Sequence, residues 1–285
     1  MAPTLVPFLI GPCSICFYAQ IHHALTKHNV FNNHSRPAQA RVKAISAAHA
    51  ALTTLLVLYA LRRSAAIHFA DPKDAPAQGS RLPDGNLDDS RNPLIQDRNT
   101  CGNLITTWET GYLIYDTLIL VQSARTNRPR VGLGEKVLFA AKQKPDIFTH
   151  HALLAAAFLT LQWYIVKDKE RGIWVILVFM LMNASNPVMH ARWWARTSAT
   201  AQNSSSRTVR VGLLWDMAFT VVFAGARFGS VTWLLRRYGK YHDLSILEVF
   251  GKLRVQCRVG TVLLTGLNAI WWVALVRGIL KRRKR

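Results

Sequence analysis

Acidic residues are scarce in this chain of 285 residues: 15 Asp and Glu stand against 36 Lys and Arg, a formal net charge of +21. Cysteine is scarcer still, and four in a chain of this length exclude a disulfide scaffold. There is no internal repeat and no low-complexity tract. Half the residues are apolar, which excludes intrinsic disorder. The most informative absence is that of charge over long runs. Residues 5–21, 44–61, 152–166, 173–189 and 259–276 contain no Asp, Glu, Lys or Arg. A soluble helical protein spreads charge along the outer face of every helix. Here charge is clumped, and the mean hydropathy stays positive at +0.11 despite all the basic residues.

Each uncharged run approaches the roughly 20 residues that cross about 30 Å of hydrocarbon. Two further segments are as apolar but carry internal charge: 104–121 with Glu109 and Asp116, and 211–235 with Asp216 and Arg227. Tyr18, Tyr59, Trp163, Tyr164, Trp174, Trp271 and Trp272 sit near run ends, as interfacial anchors do. The pattern predicts an all-α membrane protein with about seven transmembrane helices. The first is read as a retained helix, because Met1 to Leu5 has no basic residue and no small-x-small cleavage site follows.

Loop charges set the expected topology. The first, third and fifth loops and the C-terminal tail together hold 20 Lys and Arg, against 15 on the other side. The positive-inside rule then predicts a lumenal N-terminus and a cytosolic C-terminus. Residues 1–41 form an N-terminal transmembrane helix and cytosolic loop in this reading, and residues 279–285 a basic cytosolic tail. The Pro-, Gly- and Asp-rich stretch 70–103 lacks periodicity and is expected to be a mobile lumenal loop. Cys101 and Cys257 both fall near the lumenal face, either as a disulfide or as two reduced thiols. The sequon at Asn203 falls on the cytosolic side, where it stays unmodified. Kinks are expected at Gly11-Pro12 and Asn186-Pro187.

An ionisable residue within a span costs about 2.5–3.5 kcal/mol, so it faces a cavity or a partner. Glu109, Tyr112 and Asp116 follow helical spacing i, i+3, i+7 and share one face. Asp116 lies too deep to reach water unaided. The next span opens with His150-His151, preceded by Asp146. Asn183, Ser185, Asn186, His190 and Arg192 cluster at the end of the fifth span. Asp216 and Arg227 lie eleven residues apart, about three turns, on one stripe of the sixth. Glu109 and Arg192 also fit the headgroup layer, Asp216 and Arg227 also fit structural pairs between helices, and His22-His23 reads as solvated.

A pocket with Asp116 and a histidine suits acyl transfer, with imidazole as general base or nucleophile and carboxylate as its orienter. The basic loop 125–144 suits either the phosphates of acyl-CoA or anionic lipid. Ten histidines without a second clustered box argue against a metal site. Basic residues dispersed on both faces argue against nucleic acid as a partner.

The run Gly111-Tyr112-Leu113-Ile114-Tyr115-Asp116, then a basic loop, then Asp146-Ile147-Phe148-Thr149-His150-His151 resembles the TLC-domain family, which includes the ceramide synthases. Asn183-Ala184-Ser185-Asn186-Pro187 through Arg192-Trp193 is similar to the family's next motif, and the resemblance spans roughly residues 42–278. It implies an endoplasmic-reticulum protein with six helices in a barrel-like bundle around a polar, lipid-filled cavity. It also implies catalytic roles for His150 and His151 with Asp116. The remaining candidates line a substrate site: Glu109, Tyr112, Asp146, Asn183, Asn186, His190, Asp216 and Arg227. The implied ligands are membrane lipids, with acyl-CoA as co-substrate and no tightly bound cofactor; a homodimer stays open. Where the synthases carry a paired-Asp motif this chain has Asn183 and Asn186, and it has no homeobox-like segment. The likeness is therefore nearer to the non-synthase members, which act in membrane lipid composition. Two readings stay open: an acyl-CoA-dependent lipid acyltransferase, and a non-catalytic lipid-binding or lipid-sensing protein.

Overall fold

The computed structural model describes residues 6–64, 87–123, 132–201 and 206–283. The sequon at Asn203, residues 70–86 of the long loop and residues 124–131 of the basic loop lie outside them. In chain order the helices are α1 (Val6–Lys27), α2 (Pro37–Arg63), α3 (Pro93–Gln96), α4 (Thr100–Gln122), α5 (Leu133–Gln143) and α6 (Pro145–Val166). They continue as α7 (Ile173–Met180), α8 (Ser185–Ala201), α9 (Ser206–Ala224), α10 (Ser230–His242), α11 (Ile246–Lys252) and α12 (Val255–Arg283). There is no β-strand among the described residues.

Four stretches have the length and hydropathy to cross a bilayer: Pro37–Arg63, Ile173–Thr197, Arg210–His242 and Val255–Arg282. They contain the expected spans 44–61, 173–189, 211–235 and 259–276. The other three expected spans fall on α1, α4 and α6, helices of 22, 23 and 22 residues. In the last of the four stretches only 6% of the apolar window is buried. Such a surface cannot face water over a whole helix, but it suits lipid, and a helix satisfies its own backbone there. The chain is an all-α membrane protein.

Two compact units share the chain: Met1–His28 with Thr100–Glu170, and Asn29–Asn99 with Arg171–Arg285. In the first, α1 packs on α4 at close range because residue 111 is glycine. A Cβ there would lie 2.4 Å from the Gly11 carbonyl oxygen and 2.6 Å from Ser14 Cβ. Ser14 Oγ donates to the Trp108 carbonyl at 2.8 Å, and Trp108 Nε1 donates to the Tyr18 hydroxyl at 2.9 Å. The Thr107 hydroxyl lies 2.7 Å from the Gln162 side-chain amide, tying α4 to α6. α1 runs through Pro12 as unbroken helix.

In the second unit the backbone tightens to a 3₁₀ turn over Leu181–Ala184, between α7 and α8. Pro187 explains it: the ring lacks an N–H and crowds the carbonyl four residues back, that of Asn183. Residues 87–99 are held firmly although their sequence shows no periodicity. Leu87, Asn92 and Leu94 are buried, and Ile95 accepts a backbone bond from Gly172 at 2.8 Å. Asp89 receives Tyr238 Oη and Asn92 Nδ2, each at 2.8 Å, and lies 3.1 Å from His242 Nε2. Burial would raise the Asp89 carboxyl, but the bonds from His242, Asn92 and Tyr238 and the charge of His242 outweigh it, so it sits below its ordinary value. Cys101 and Cys257 are free thiols.

Two predictions come from this packing. Gly111→Ala should cost about 1–3 kcal/mol by overpacking, read as a lower Tm in detergent. Gly266→Ala, with nothing within 4 Å of its new Cβ, is the control and should not lower it, since Ala is the better helix former. Because Asp89 is lowered in the folded state, its stabilisation is present above the unfolded value of about 3.9 and fades as pH falls through the folded one. Thermal melts from pH 7 to pH 3 should therefore converge for wild type and Asp89→Asn at the acid end. A gap that stays constant with pH would show that Asp89 does not act as a carboxylate.

Candidate functional site

The first unit brings together the central pair expected from the sequence. Asp116 lies in α4 and His151 in the second turn of α6, and Asp116 Oδ2 is 3.5 Å from His151 Nε2. Both are largely shielded, with side-chain exposures of 28% and 11%. The other ring nitrogen, Nδ1, lies 3.0 Å from Thr117 Oγ1. Thr117 already donates its one proton to the Leu113 carbonyl at 2.7 Å, so towards the imidazole it accepts. With Thr117 as acceptor, His151 carries its proton on Nδ1 and presents a lone pair at Nε2 towards Asp116. At 3.5 Å the Nε2–Oδ2 contact is longer than a direct hydrogen bond. Nε2 is thus held near Asp116 without being consumed by it.

Successive helical residues point about 100° apart, and of the paired histidines it is His151 whose ring meets both α4 groups. The His150 ring lies 6.1 Å from it, centroid to centroid. Asp146 is exposed in the first turn of α6, where an acid complements the positive end of the helix. Tyr112 is buried against Tyr18 at 4.9 Å and Tyr115 at 6.1 Å, and Glu109 is half-buried on the same helix. A cleft of about 300 Å³ opens between α1 and α4, lined by residues that include His22, His23, Tyr115 and Gln122. The first histidine pair, read from sequence as solvated, thus forms part of a concavity.

The second unit holds the other polar candidates. Arg227 is buried on a π-helical turn, Gly225–Gly229. Its Nη2 lies 3.3 Å from Asn186 Oδ1 and its Nη1 3.4 Å from Asn268 Oδ1, while Asn186 Nδ2 reaches Asn183 Oδ1 at 3.4 Å. His190 is 2% exposed, and neither ring nitrogen has a partner among the described residues. Asp216 is wholly buried and paired with Arg192, Arg196 and Arg282. Both charges of the sixth span therefore meet partners on other helices.

Sequence reasoning missed Thr117, Asn268, Arg196 and Arg282. A lone Asn in an uncharged span was a usable signal for Asn268. Nothing local marks Thr117, whose role depends on a helix 34 residues away.

A family model described as the TLC domain matches residues 39–277, and the chain belongs to the TLC-domain family. No curated protein and no solved structure matches it.

The pair makes a prediction of its own. Asp116→Leu should cost less than about 1.5 kcal/mol, because His151 can stay neutral and no charge is stranded. A variant that expresses, melts near wild type and elutes as a single species fits a functional pair. Misfolding and loss of the protein would make Asp116 a structural member of the helix interface instead.

Proposed function

We propose, with TLC-domain membership as premise, that the chain is a multi-pass endoplasmic-reticulum membrane protein of lipid homeostasis that transfers an acyl group from acyl-CoA to a lipid acceptor. The observation that carries this reading is the Thr117–His151–Asp116 arrangement. Thr117 sets the tautomer, His151 Nε2 is the base, and Asp116 supports the charge that develops on the ring. As the acceptor's amine or hydroxyl attacks the thioester carbonyl, Nε2 takes its proton, which comes to lie between the ring and Asp116. The new C–N or C–O bond forms, the C–S bond breaks, and the imidazolium returns the proton to the departing thiolate. Acceptor and acyl-CoA become acylated lipid and free CoA.

His150 stays beside His151 and Asp116 as a catalytic candidate, and the others act in binding: Glu109, Tyr112 and Asp146 in the first unit, and Asn183, Asn186, His190, Asp216 and Arg227 in the second. The loop charges support a cytosolic C-terminus and a lumenal N-terminus. In the second unit, His34 of the first loop meets Thr197 of the fifth at 3.1 Å, and Arg282 of the tail reaches the same carboxylate as Arg192 and Arg196. That convergence supports grouping these loops on one side.

One observation favours a second reading, a lipid-binding protein without turnover. Asn183 and Asn186 stand in place of the synthases' paired acids, and Asn186 is engaged with Arg227.

The two readings separate in one experiment. Purified protein is incubated with long-chain acyl-CoA and membrane lipid, and CoA release and intact mass are recorded. Acyl transfer predicts CoA release that falls by about a hundredfold or more in His151→Ala, the scale of general-base catalysis. No release from wild type, with lipid co-purifying in both, would reject catalysis and leave binding.

A further inference from the structure

Asp216 of α9 lies beneath three guanidinium groups. Arg192 Nε is 2.5 Å and Arg196 Nη2 2.6 Å from Oδ1, and Arg282 Nη1 is 2.7 Å from Oδ2. Three positive charges around one carboxylate leave a local surplus of two. The carboxylate is fully buried, while Arg196 and Arg282 keep 33% and 43% of their side chains exposed. Asp216 therefore gathers the arginines from α8 and α12, and the outer two remain reachable from the surface.

The other acids described in this unit do not offset that surplus. Asp88, Asp89 and Asp97 belong to the 87–99 segment, and Asp243 and Glu248 follow α10. Asp89 contacts His242, which lies about 39 Å along the same helical rod from Asp216 at 1.5 Å per residue. More basic charge lies nearby instead. Arg210 precedes Asp216 by six residues on α9, and Lys281 adjoins Arg282. Aromatic rings flank the arginines: His34 stacks on Trp193 at 5.2 Å, and Phe31 packs on Trp194 at 5.1 Å. Trp and Arg at the end of apolar helices mark the depth at which lipid phosphates lie. A guanidinium fork matches phosphate oxygens in pairs, and Arg196 and Arg282 keep part of their side chains at the surface.

We propose that Arg192, Arg196 and Arg282, gathered on Asp216, form a binding site for a phosphate group. The source is the headgroup of an anionic lipid or the phosphates of coenzyme A, which share this chemistry. The site deepens the binding role given to Asp216, yet it needs no turnover and survives if His151 proves inert.

The test uses the full-length protein in phosphatidylcholine nanodiscs, with thermal stability as the readout. Phosphatidic acid is added in one arm, coenzyme A in a second, and inorganic phosphate in a third as a measure of bare ionic effects. Stabilisation by phosphatidic acid alone assigns the site to a lipid headgroup, and stabilisation by coenzyme A alone assigns it to the coenzyme; either supports the proposal. R282Q and R196Q should each weaken the apparent affinity about fivefold, the scale for one arginine near anionic lipid. R258Q, far along the sequence on the N-terminal turn of α12, should leave it unchanged. An equal loss in R258Q would mean that net charge alone attracts the ligand and would overturn the proposal. So would stabilisation no greater than that given by inorganic phosphate, an outcome wild-type protein decides even if the arginine variants do not fold.

Discussion

A charge placed in hydrocarbon must bring its partner along, and this constraint organises both units of the chain. Four acidic or arginine side chains, Glu109, Asp116, Asp216 and Arg227, fall inside the apolar segments, and the last three each contact identified partners. Asp116 meets a histidine whose far nitrogen is anchored by a threonine. Asp216 meets three arginines, and Arg227 meets two asparagines. In each case the partners come from different helices, so the polar contacts also set which helix faces which. Apolar packing alone could not do that, because lipid tails are as apolar as leucine.

The two acids solve the constraint differently, and the difference has chemical consequences. Asp216 is saturated, with both oxygens held at ion-pair distance, and so acts as an organiser of positive charge. Asp116 faces an imidazole instead, with His151 Nε2 3.5 Å from its Oδ2. A carboxylate beside an imidazole can support the charge that develops when the ring takes up a proton. The asparagines around Arg227 give a third outcome: they solvate a guanidinium with neutral oxygens and leave its charge in place.

Much of the architecture was legible because it rests on local signals. Uncharged runs of bilayer length fall on helices, and the proline at 187 foretold the irregular turn just before it. The deep aspartate and the second of the paired histidines lie on two helices that meet, with Asp116 and His151 3.5 Å apart. What could not be read depends on pairings distant in sequence. Thr117 looks like any threonine in a span until His151 arrives against it. Arg282 looks like part of a stop-transfer tail until it reaches Asp216, 66 residues earlier in the chain. The stretch 87–99 has turn composition and no period, yet Asp89 ties it down through Tyr238 and His242. Composition reports the propensity of a segment, and these contacts belong to its tertiary surroundings.

The claim that His151 is a base held in one tautomer by Thr117 can be tested without knowing any substrate. Protein labelled with nitrogen-15 at histidine, reconstituted in nanodiscs and assigned by difference against His151→Gln, reports the protonation of each ring nitrogen. The account predicts a protonated Nδ1 at neutral pH and an Nε2 that gains its proton as pH falls, with the Nδ1 signal shifting in Thr117→Val. A neutral ring that carries its proton on Nε2, indifferent to Thr117, would contradict it.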